Sequence, residues 1–292
     1  MFNTKLNNVT QRKYLQMANS FITKQQLSLV DDGLTLCETL TSVSSNYRPD
    51  YWRNLRNSIS YYLFTENNQE LADRVRKLVN PVTSENGVIK SKQKRCKKIN
   101  EQEVDALIKE AVKRKNKKLS AAIYIAHITG CRPCEMPFIN QVNHNTFKII
   151  GGKKRADRGL DRFIKINDPR TAKLIRKLIK ELRGEKMKPV QNAFDRLAKK
   201  VFWRRKIVPS LYTFRHQMGS DLKASNLNRK TVAYMMGHRV TKSVNVYGNR
   251  RTSGGRTIEI AAGVSDTEID QLVRENHHVV GVVNNHENNE PC

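Results

Sequence analysis

The sequence predicts a mainly α-helical protein of the α+β class, in which a small β-hairpin accompanies two groups of helices. Apolar residues recur at helical spacing over most of the chain. Two short runs rich in β-branched and aromatic residues, 145–151 and 162–166, flank a glycine-rich basic turn, and this pattern is typical of a hairpin. The 292 residues suffice for two domains, and the pattern divides them into a helical unit over 1–80 and a larger unit over 100–265.

The chain is strongly basic, with 54 Lys and Arg against 27 Asp and Glu and a formal net charge of +27. Such a charge indicates a polyanionic partner, and nucleic acid is the first candidate. An anionic membrane surface is less favoured, because no basic amphipathic helix stands apart from the folded pattern. We find neither an apolar run of transmembrane length nor the apolar core of a signal peptide. We therefore expect a cytoplasmic, nucleoid-associated protein.

The first unit is predicted to contain four short helices, over 11–22, 32–41, 49–65 and 69–78. One apolar face of the third helix is traced by Tyr51, Trp52, Leu55, Ile59, Tyr62 and Leu63. We expect this face to form the core of a small bundle, because buried aromatic side chains are more common than exposed platforms for stacking bases.

A basic segment over 81–99 is predicted to link the two units, because its composition suits a flexible chain. Its cations are too dense to pack in a core; they are Lys90, Lys92, Lys94, Arg95, Lys97 and Lys98. Such a segment suits a phosphate backbone, so these side chains are candidate DNA contacts. The alternative is a solvated linker without a specific partner.

The second unit is predicted to be helical on both sides of the hairpin. Its predicted helices cover 101–115, 119–128, 168–183, 191–203, 211–224, 228–236 and 241–247. In the first of them, Val104, Leu107, Ile108 and Val112 are expected on one apolar face. The segment 266–292 begins with an acidic amphipathic helix over 266–275. We expect this helix either to cap its own domain or to dock on the basic surface of another copy.

The stretch 210–251 contains the side chains needed to hold a phosphate and attack it. Arg215 offers a planar fork that matches phosphate oxygens. His216 and His238 can donate hydrogen bonds or move protons near neutral pH. Tyr247 can serve as a covalent nucleophile. Two further cations, Arg239 and Lys242, are candidate DNA contacts in the same stretch.

Two earlier segments could complete this site. Arg132 and Glu135 follow Gly130, a residue typical of a helix end, and a helical turn would place them on one face. Glu135 could then hold the guanidinium, although an ordinary surface ion pair is the alternative. Cys131 and Cys134 have no second cysteine or histidine pair, so we expect packing side chains rather than a zinc site. Lys153 and Lys154 fall on the turn of the predicted hairpin.

Taken together, these motifs resemble the tyrosine recombinases, or phage integrases. The resemblance rests on Thr129-Gly130-Cys131-Arg132-Pro133-Cys134-Glu135, Lys153, Thr213-Phe214-Arg215-His216, Met236-Gly237-His238 and Tyr247, in that order. It covers about residues 100–250, and it implies a catalytic domain over 100–265 preceded by a helical DNA-binding domain over 1–80. The chain departs from the family at Tyr212, where a histidine is usual, and mildly at Met236, where leucine is usual.

The resemblance also implies roles and partners. Tyr247 would attack a DNA phosphate, Arg132 and Arg215 would clamp it, and His238 and Tyr212 would hydrogen-bond to it. Lys153, or its neighbour Lys154, would protonate the leaving oxygen, while Glu135 and His216 would support these groups. Neither a metal nor ATP is expected as a cofactor. The implied partners are double-stranded DNA recombination sites, paired by a homotetramer, and accessory proteins that bend DNA or set direction are candidates too.

Two other functions compete with recombination. A DNA-binding regulator would use 222–247 as a helix-turn-helix with Arg239 and Lys242 on its recognition helix. That function leaves Arg132, the hairpin lysines and the position of Tyr247 unexplained. A type IB topoisomerase or a telomere resolvase would use the same arginine, lysine and tyrosine chemistry, but the length and two-part layout favour a recombinase.

Overall fold

The computed structural model describes residues 8–27, 33–152, 159–254 and 260–275. The chain divides into two compact units, Met1–Gln93 and Lys94–Cys292. The division falls inside the segment 81–99 that the sequence assigns to a linker. Each unit has its own apolar core.

The described residues of the first unit form helices joined by turns and loops, with no strand among them. Its helices are α1 (Asn8–Gln25), α2 (Gly33–Ser42), α3 (Pro49–Thr65), α4 (Gln69–Lys77) and the short α5 (Pro81–Ser84). Trp52 of α3 lies at the centre of the core, and its indole Nε1 donates a hydrogen bond to the carbonyl of Leu40 at 2.8 Å. The prediction that Tyr51 shares this buried face is wrong. Its side chain is 48% exposed and stacks on Tyr47 instead, because the buried stripe starts one residue later.

The second unit packs its helices around α7. The helices are α6 (Glu101–Lys113), α7 (Lys117–Thr129), α8 (Pro169–Leu182), α9 (Met187–Val201), α10 (Leu211–Ala224), α11 (Arg229–Met235) and α12 (Asp266–Leu272). α7 contacts α6, α8, α9 and α10, and its alanines and isoleucines are buried. Val112 is 58% exposed, so its predicted place on the apolar face of α6 is wrong; the buried stripe ends at Ala111.

A four-stranded antiparallel sheet lies in the second unit, with its strands in chain order. The strands are β1 (Ile139–Gln141), β2 (Thr146–Ile149), β3 (Arg162–Ile166) and β4 (Ile260–Ala262). β2 and β3 form the predicted hairpin pair, with Phe147 opposite Ile164 and both side chains buried. The short strands β1 and β4 were not predicted, because three residues carry too little periodicity to be recognised.

The acidic helix α12 packs against its own unit. Ile269 and Val273 are buried, and Asp270 accepts a hydrogen bond from Lys230 of α11 at 2.9 Å. Beyond the helix, Arg274 forms a parallel bridge with Val240. Residues 266–275 therefore cap their own domain, and the tail over 276–292 lies outside the described residues. In the described ranges, no helix is long and apolar enough to cross a membrane.

Candidate active site

The buried carboxylate of Glu135 organises the candidate site. Its two oxygens accept hydrogen bonds from Arg132 Nη1 at 2.6 Å and from the Arg132 backbone N–H at 2.9 Å. Arg162 Nη2 of β3 donates to the same carboxylate at 3.0 Å, and the Gly152 N–H donates at 3.3 Å. Arg132 and Glu135 are both buried, so the alternative of an ordinary surface ion pair is wrong.

Glu135 stays ionised despite its burial. Burial acts to raise the pKa of its carboxyl, but the positive charges of Arg162 and Arg132 outweigh it and hold the pKa below the ordinary value. Arg162 was not predicted from the sequence. It is the first residue of β3 and lies 27 residues from its partner in the sequence, and no local spacing indicates such a pair.

Arg215 is fully buried and connects three of the motifs. Its Nη1 donates to the carbonyl of Gly130 at 3.0 Å, and its Nη2 donates to the carbonyl of Met236. Gly130 ends α7 with a φ of 57°, which turns that carbonyl toward the arginine. Burial and the neighbouring guanidiniums of Arg132 and Arg162 lower the pKa of Arg215 to about 10, so it remains a cation at neutral pH.

The Met-Gly-His turn requires its glycine for two reasons. Gly237 has a φ of +66°, and a Cβ at this position would lie 2.6 Å from Nη1 of Arg162. The turn places His238 beside Arg215, with 3.2 Å between Nε2 and Nη2. Burial, followed by the charge of Arg215, lowers the pKa of His238 to about 3. His238 is therefore neutral at pH 7, and its Nε2 accepts from Arg215.

Tyr247 lies among these groups. Its ring sits between the rings of His216 and His238, each with a centroid distance of 5.2 Å. The guanidinium carbon of Arg215 lies 4.7 Å from the centre of the tyrosine ring. Burial acts to raise the pKa of Tyr247, but Arg215 and Arg132 outweigh it, so the pKa lies below the ordinary value of 10. The surrounding cations therefore favour the phenolate, which is the nucleophilic form.

The backbone at Tyr247 is held by α10. Lys223 Nζ donates to the carbonyl of Tyr247 and, at 2.9 Å, to that of Gly248. Gly219 permits the approach, since a Cβ there would lie 3.0 Å from the Cβ of Tyr247. Lys223 was not predicted, because a lysine in the last turn of a helix is normally a solvated side chain that favours the helix dipole.

His216 lies on the side of Tyr247 that faces the basic segment. Burial lowers the pKa of His216, and Lys97 and Arg215 lower it further. Its buried Nδ1 has no hydrogen-bond partner within the described ranges. The structure thus brings the His216 ring into contact with the ring of Tyr247.

Tyr212 stands at the rim, in the first turn of α10, and its side chain is 38% exposed. Burial, followed by Cys134, raises the pKa of Tyr212, so its hydroxyl is protonated at neutral pH and can donate.

Lys153 and Lys154 lie outside the described residues. The chain enters that segment from Gly152, where a Cβ would lie 2.6 Å from Cys134 Sγ.

The candidate DNA contacts are mostly exposed. Those on the surface are Lys90, Lys92, Lys94, Arg95, Lys97, Lys98 and Lys242. Lys90 also donates to the carbonyl of Asn46 at 3.0 Å, and Arg239 is half-buried and donates from Nε to Gly159 O at 3.2 Å. A recognition helix is not formed at 241–247, because Thr241–Val246 is a short 3₁₀ helix. The prediction that Arg239 and Lys242 lie on a recognition helix is therefore wrong, since α11 ends at Met235.

Cys131 and Cys134 do not point to a metal. Cys131 is fully buried, and burial raises the pKa of its thiol to about 12, whereas Cys134 is exposed. Across the residues that the structure describes, no group of three or more His, Cys, Asp or Glu could hold a metal ion.

Comparisons with known proteins identify the fold. No family model matches this sequence, and no curated protein sequence matches it. The structure is similar to a lambda integrase dimer bound to a COC′ core site, with a TM-score of 0.60 and 15% identity over 87% of this chain and 75% of that chain. A lambda integrase tetramer bound to a Holliday junction gives a TM-score of 0.59 and 13% identity over the same shares. These similarities show that the chain has the tyrosine recombinase fold, as the sequence predicted.

We expect Glu135→Gln to destabilise the second unit, because Arg132 and Arg162 would stay buried without a counter-charge. The free energy of unfolding should fall by about 3 kcal/mol at pH 7. The folded-state pKa of Glu135 lies below the ordinary 4.5. The stability that the ionised carboxylate provides is therefore complete above pH 4.5, and it is lost as the pH falls through the folded-state pKa. Urea unfolding followed by circular dichroism should therefore show the difference between variant and wild type narrowing in acid.

Glu110→Gln is the matched control for that measurement. Glu110 is a surface carboxylate paired with Arg114 and Lys200, at 3.0 and 3.1 Å. Its loss should change stability little, because exposed ion pairs are screened by solvent. Equal destabilisation by the two substitutions would contradict the central place given to Glu135.

Proposed function

We propose that this protein is a site-specific DNA recombinase that cleaves and rejoins strands through a 3′-phosphotyrosyl intermediate. One observation carries the proposal: the ring of Tyr247 lies 5.2 Å from the rings of both His216 and His238, and 4.7 Å from the guanidinium carbon of the buried Arg215. A nucleophile and the cations that would bind its target phosphate thus come from one chain and share one site. This arrangement supports cleavage in cis, in which the protomer that binds the phosphate through Arg132 and Arg215 also supplies Tyr247.

The chemistry proceeds by two displacements at phosphorus. Tyr247 loses its phenolic proton to solvent, its phenolate oxygen attacks the phosphorus of a DNA phosphodiester, and the bond from phosphorus to the 5′-oxygen breaks. Arg132 and Arg215 neutralise the non-bridging oxygens as charge accumulates on them. The leaving 5′-oxygen takes a proton from Lys153 or Lys154. A 5′-hydroxyl of the partner strand then attacks the phosphotyrosine and releases Tyr247, so the phosphoester bond energy is kept without ATP.

The remaining groups support the phosphate and the arginines. Tyr212 donates a hydrogen bond from the rim of the pocket, in place of the usual histidine. Neutral His238 is held by Arg215 before DNA binds, and a bound phosphate oxygen competes for the same guanidinium. Glu135 fixes Arg132 through two hydrogen bonds, and this orients the guanidinium before the substrate arrives.

We infer double-stranded DNA as the partner, in the form of recombination sites paired by a homotetramer. The formal charge of +27 supports a polyanionic ligand. The similar lambda integrase structures are a dimer bound to a COC′ core site and a tetramer bound to a Holliday junction. Accessory proteins that bend DNA or set direction complete the proposed assembly, which would act at the nucleoid.

A nicked suicide substrate tests the reaction itself. We expect the wild-type protein, mixed with a library of nicked duplexes of random sequence, to form a covalent complex that survives a denaturing gel. Cleavage beside the nick lets a short strand diffuse away, so the intermediate is trapped. Mass spectrometry of the digested complex should find nucleotide on the peptide that contains Tyr247, and sequencing of the captured DNA should reveal the preferred site.

Tyr247→Phe should abolish that complex, whereas Tyr124→Phe, which alters a half-buried tyrosine on α7, should retain it. A complex that persists in Tyr247→Phe, or its absence from the wild type, would refute the recombinase proposal. Relaxation of supercoils without site preference, or hairpin products from linear ends, would instead indicate a topoisomerase or a telomere resolvase.

We expect Lys153→Ala to slow cleavage of an ordinary substrate by roughly 100-fold or more, because a poor leaving group loses its proton donor. The Lys153→Ala variant should cleave a substrate with sulfur at the bridging 5′ position at nearly the wild-type rate, since a thiolate leaves without a proton. Lys154→Ala is the matched control and should behave as wild type. If instead Lys154→Ala is slow on the ordinary substrate and the sulfur substrate restores its rate, the proton donor is Lys154. If the sulfur substrate restores the rate of neither variant, no hairpin lysine is the acid.

Tyr212→Phe should lower the single-turnover cleavage rate about tenfold, because the ring stays and the hydrogen-bond donor is lost. Tyr212→His should keep or raise the rate, since it restores a donor that can also carry a proton near neutral pH. The measurement is the rate of covalent complex formation at saturating DNA. Equal rates for Tyr212→Phe and wild type would show that the hydroxyl does not touch the phosphate.

A further inference from the structure

Trp203 is an exposed tryptophan that neither the core nor the proposed chemistry uses. Its side chain is 72% exposed, whereas the chain's other tryptophan, Trp52, is 1% exposed. Tryptophan is highly buried on average and is enriched at binding interfaces, so this exposed indole is a candidate contact for a partner. Trp203 lies just after α9, in residues 202–207, which we term the Trp203 loop.

The loop is braced, so the exposure of Trp203 is a fixed property of the fold. Phe202 packs against the core at the base of the loop. The guanidinium of Arg205 lies 4.7 Å from the centre of the Phe202 ring and pairs with Glu103 at the start of α6. Arg204 stacks on the outer indole, with 4.5 Å from its guanidinium carbon to the ring centre.

The surroundings of the indole are cationic. The exposed side chains of α9's last turn and the loop include Lys199, Lys200, Arg204, Arg205 and Lys206. Glu103 is an acid beside the loop, and its carboxylate is occupied by Arg205. An exposed aromatic ring flanked by several cations suits a nucleic acid better than a protein partner, because the phosphates of a nucleic acid supply the opposite charge.

A chain of contacts connects the loop to the Tyr247 pocket. Glu103 caps α6 together with Asn100, which directly follows the basic segment. That segment is attached to α10, since Thr213 Oγ1 donates to the carbonyl of Cys96 at 3.0 Å and the Ile99 N–H donates to Gln217 Oε1 at 3.2 Å. Lys97 and Arg95 lie close enough to His216 to lower its pKa. The exposed cations Arg95, Lys97 and Lys98 therefore lie on a segment that contacts both α10, which carries Arg215, and the start of α6, where the loop is attached.

We propose that the Trp203 loop is a second DNA contact, which grips the duplex leading away from the scissile phosphate. Trp203 packs against a deoxyribose or a base edge in a groove, and Arg204 and Lys206 pair with the phosphates on either side. The contact rests on the proposed function for its ligand, duplex DNA, but not on the cleavage step. It holds the duplex in place without reading a particular sequence.

Intrinsic fluorescence tests the contact directly, in full-length protein carrying Tyr247→Phe so that no covalent complex forms. Trp52 is buried, so quenching by iodide reports on Trp203, and Trp203→Phe supplies the spectrum to subtract. We expect a short duplex of arbitrary sequence at low salt to shift the Trp203 emission to shorter wavelength and to reduce iodide quenching severalfold. Unchanged emission and quenching at DNA saturation, monitored by the anisotropy of a labelled duplex, would overturn the proposal.

Affinity measurements supply the second arm. Trp203→Ala should weaken duplex binding about tenfold, and Trp203→Phe should retain most of the affinity. Val112→Ala is the matched control, because Val112 is an exposed apolar residue on the face of α6 opposite Glu103; it should bind as wild type. An emission shift that depends on protein concentration without DNA would reassign the loop to contacts between copies.

The two proposals fail separately. If DNA changes the Trp203 emission but the wild-type protein forms no covalent complex, the cleavage proposal is wrong and the DNA contact is supported. A covalent complex without a Trp203 response would remove the contact alone. If no duplex binds at any salt concentration, both are wrong.

Discussion

The ion pairs of Glu135 are the interaction on which the rest of the site depends. Arg132, Arg162 and Arg215 are all buried in one small region of the second unit, where their mutual repulsion is weakly screened. Glu135 is the carboxylate that accepts from two of them. By binding Arg132 and Arg162, Glu135 also fixes the start of the 3₁₀ helix Pro133–Phe138 and the first residue of β3. A single buried charge thus joins a helix end, a turn and the sheet.

The charge that Glu135 leaves uncompensated determines the properties of the other groups. Three guanidiniums against one carboxylate leave two positive charges, and these face Tyr247 and His238. Burial and these charges together lower the pKa of His238, whereas at Tyr247 the charges lower the pKa against the effect of burial, so the consequences differ. Tyr247 becomes easier to ionise, whereas His238 stays neutral and accepts a hydrogen bond. A phosphodiester attacked by a phenolate carries two negative charges, so the surplus matches the species that the proposed reaction passes through.

Contacts to α10 hold the backbone at Tyr247. Lys223 ties the carbonyls of Tyr247 and Gly248 to α10, and the absence of a side chain at Gly219 lets the two segments meet. α10 also carries Arg215 and His216, so one helix holds the backbone of Tyr247 and supplies two side chains beside its ring. The basic segment is attached to the same helix through Thr213 and Gln217. The proposed DNA contacts of the basic segment and the proposed chemistry at Tyr247 would therefore depend on the same helix.

The sequence by itself determined the parts of the site that local signals mark. The helix over 211–224 was predicted with its observed ends, and Gly130 marked the end of α7 because glycine tolerates the left-handed backbone found there. The order of Arg132, Arg215, His238 and Tyr247 was enough to predict one phosphate site. Only the tertiary structure decided that Arg162 shares Glu135 and that Lys223 holds Tyr247. These pairs lie 27 and 24 residues apart, and charged partners at such distances leave no periodic trace in the chain.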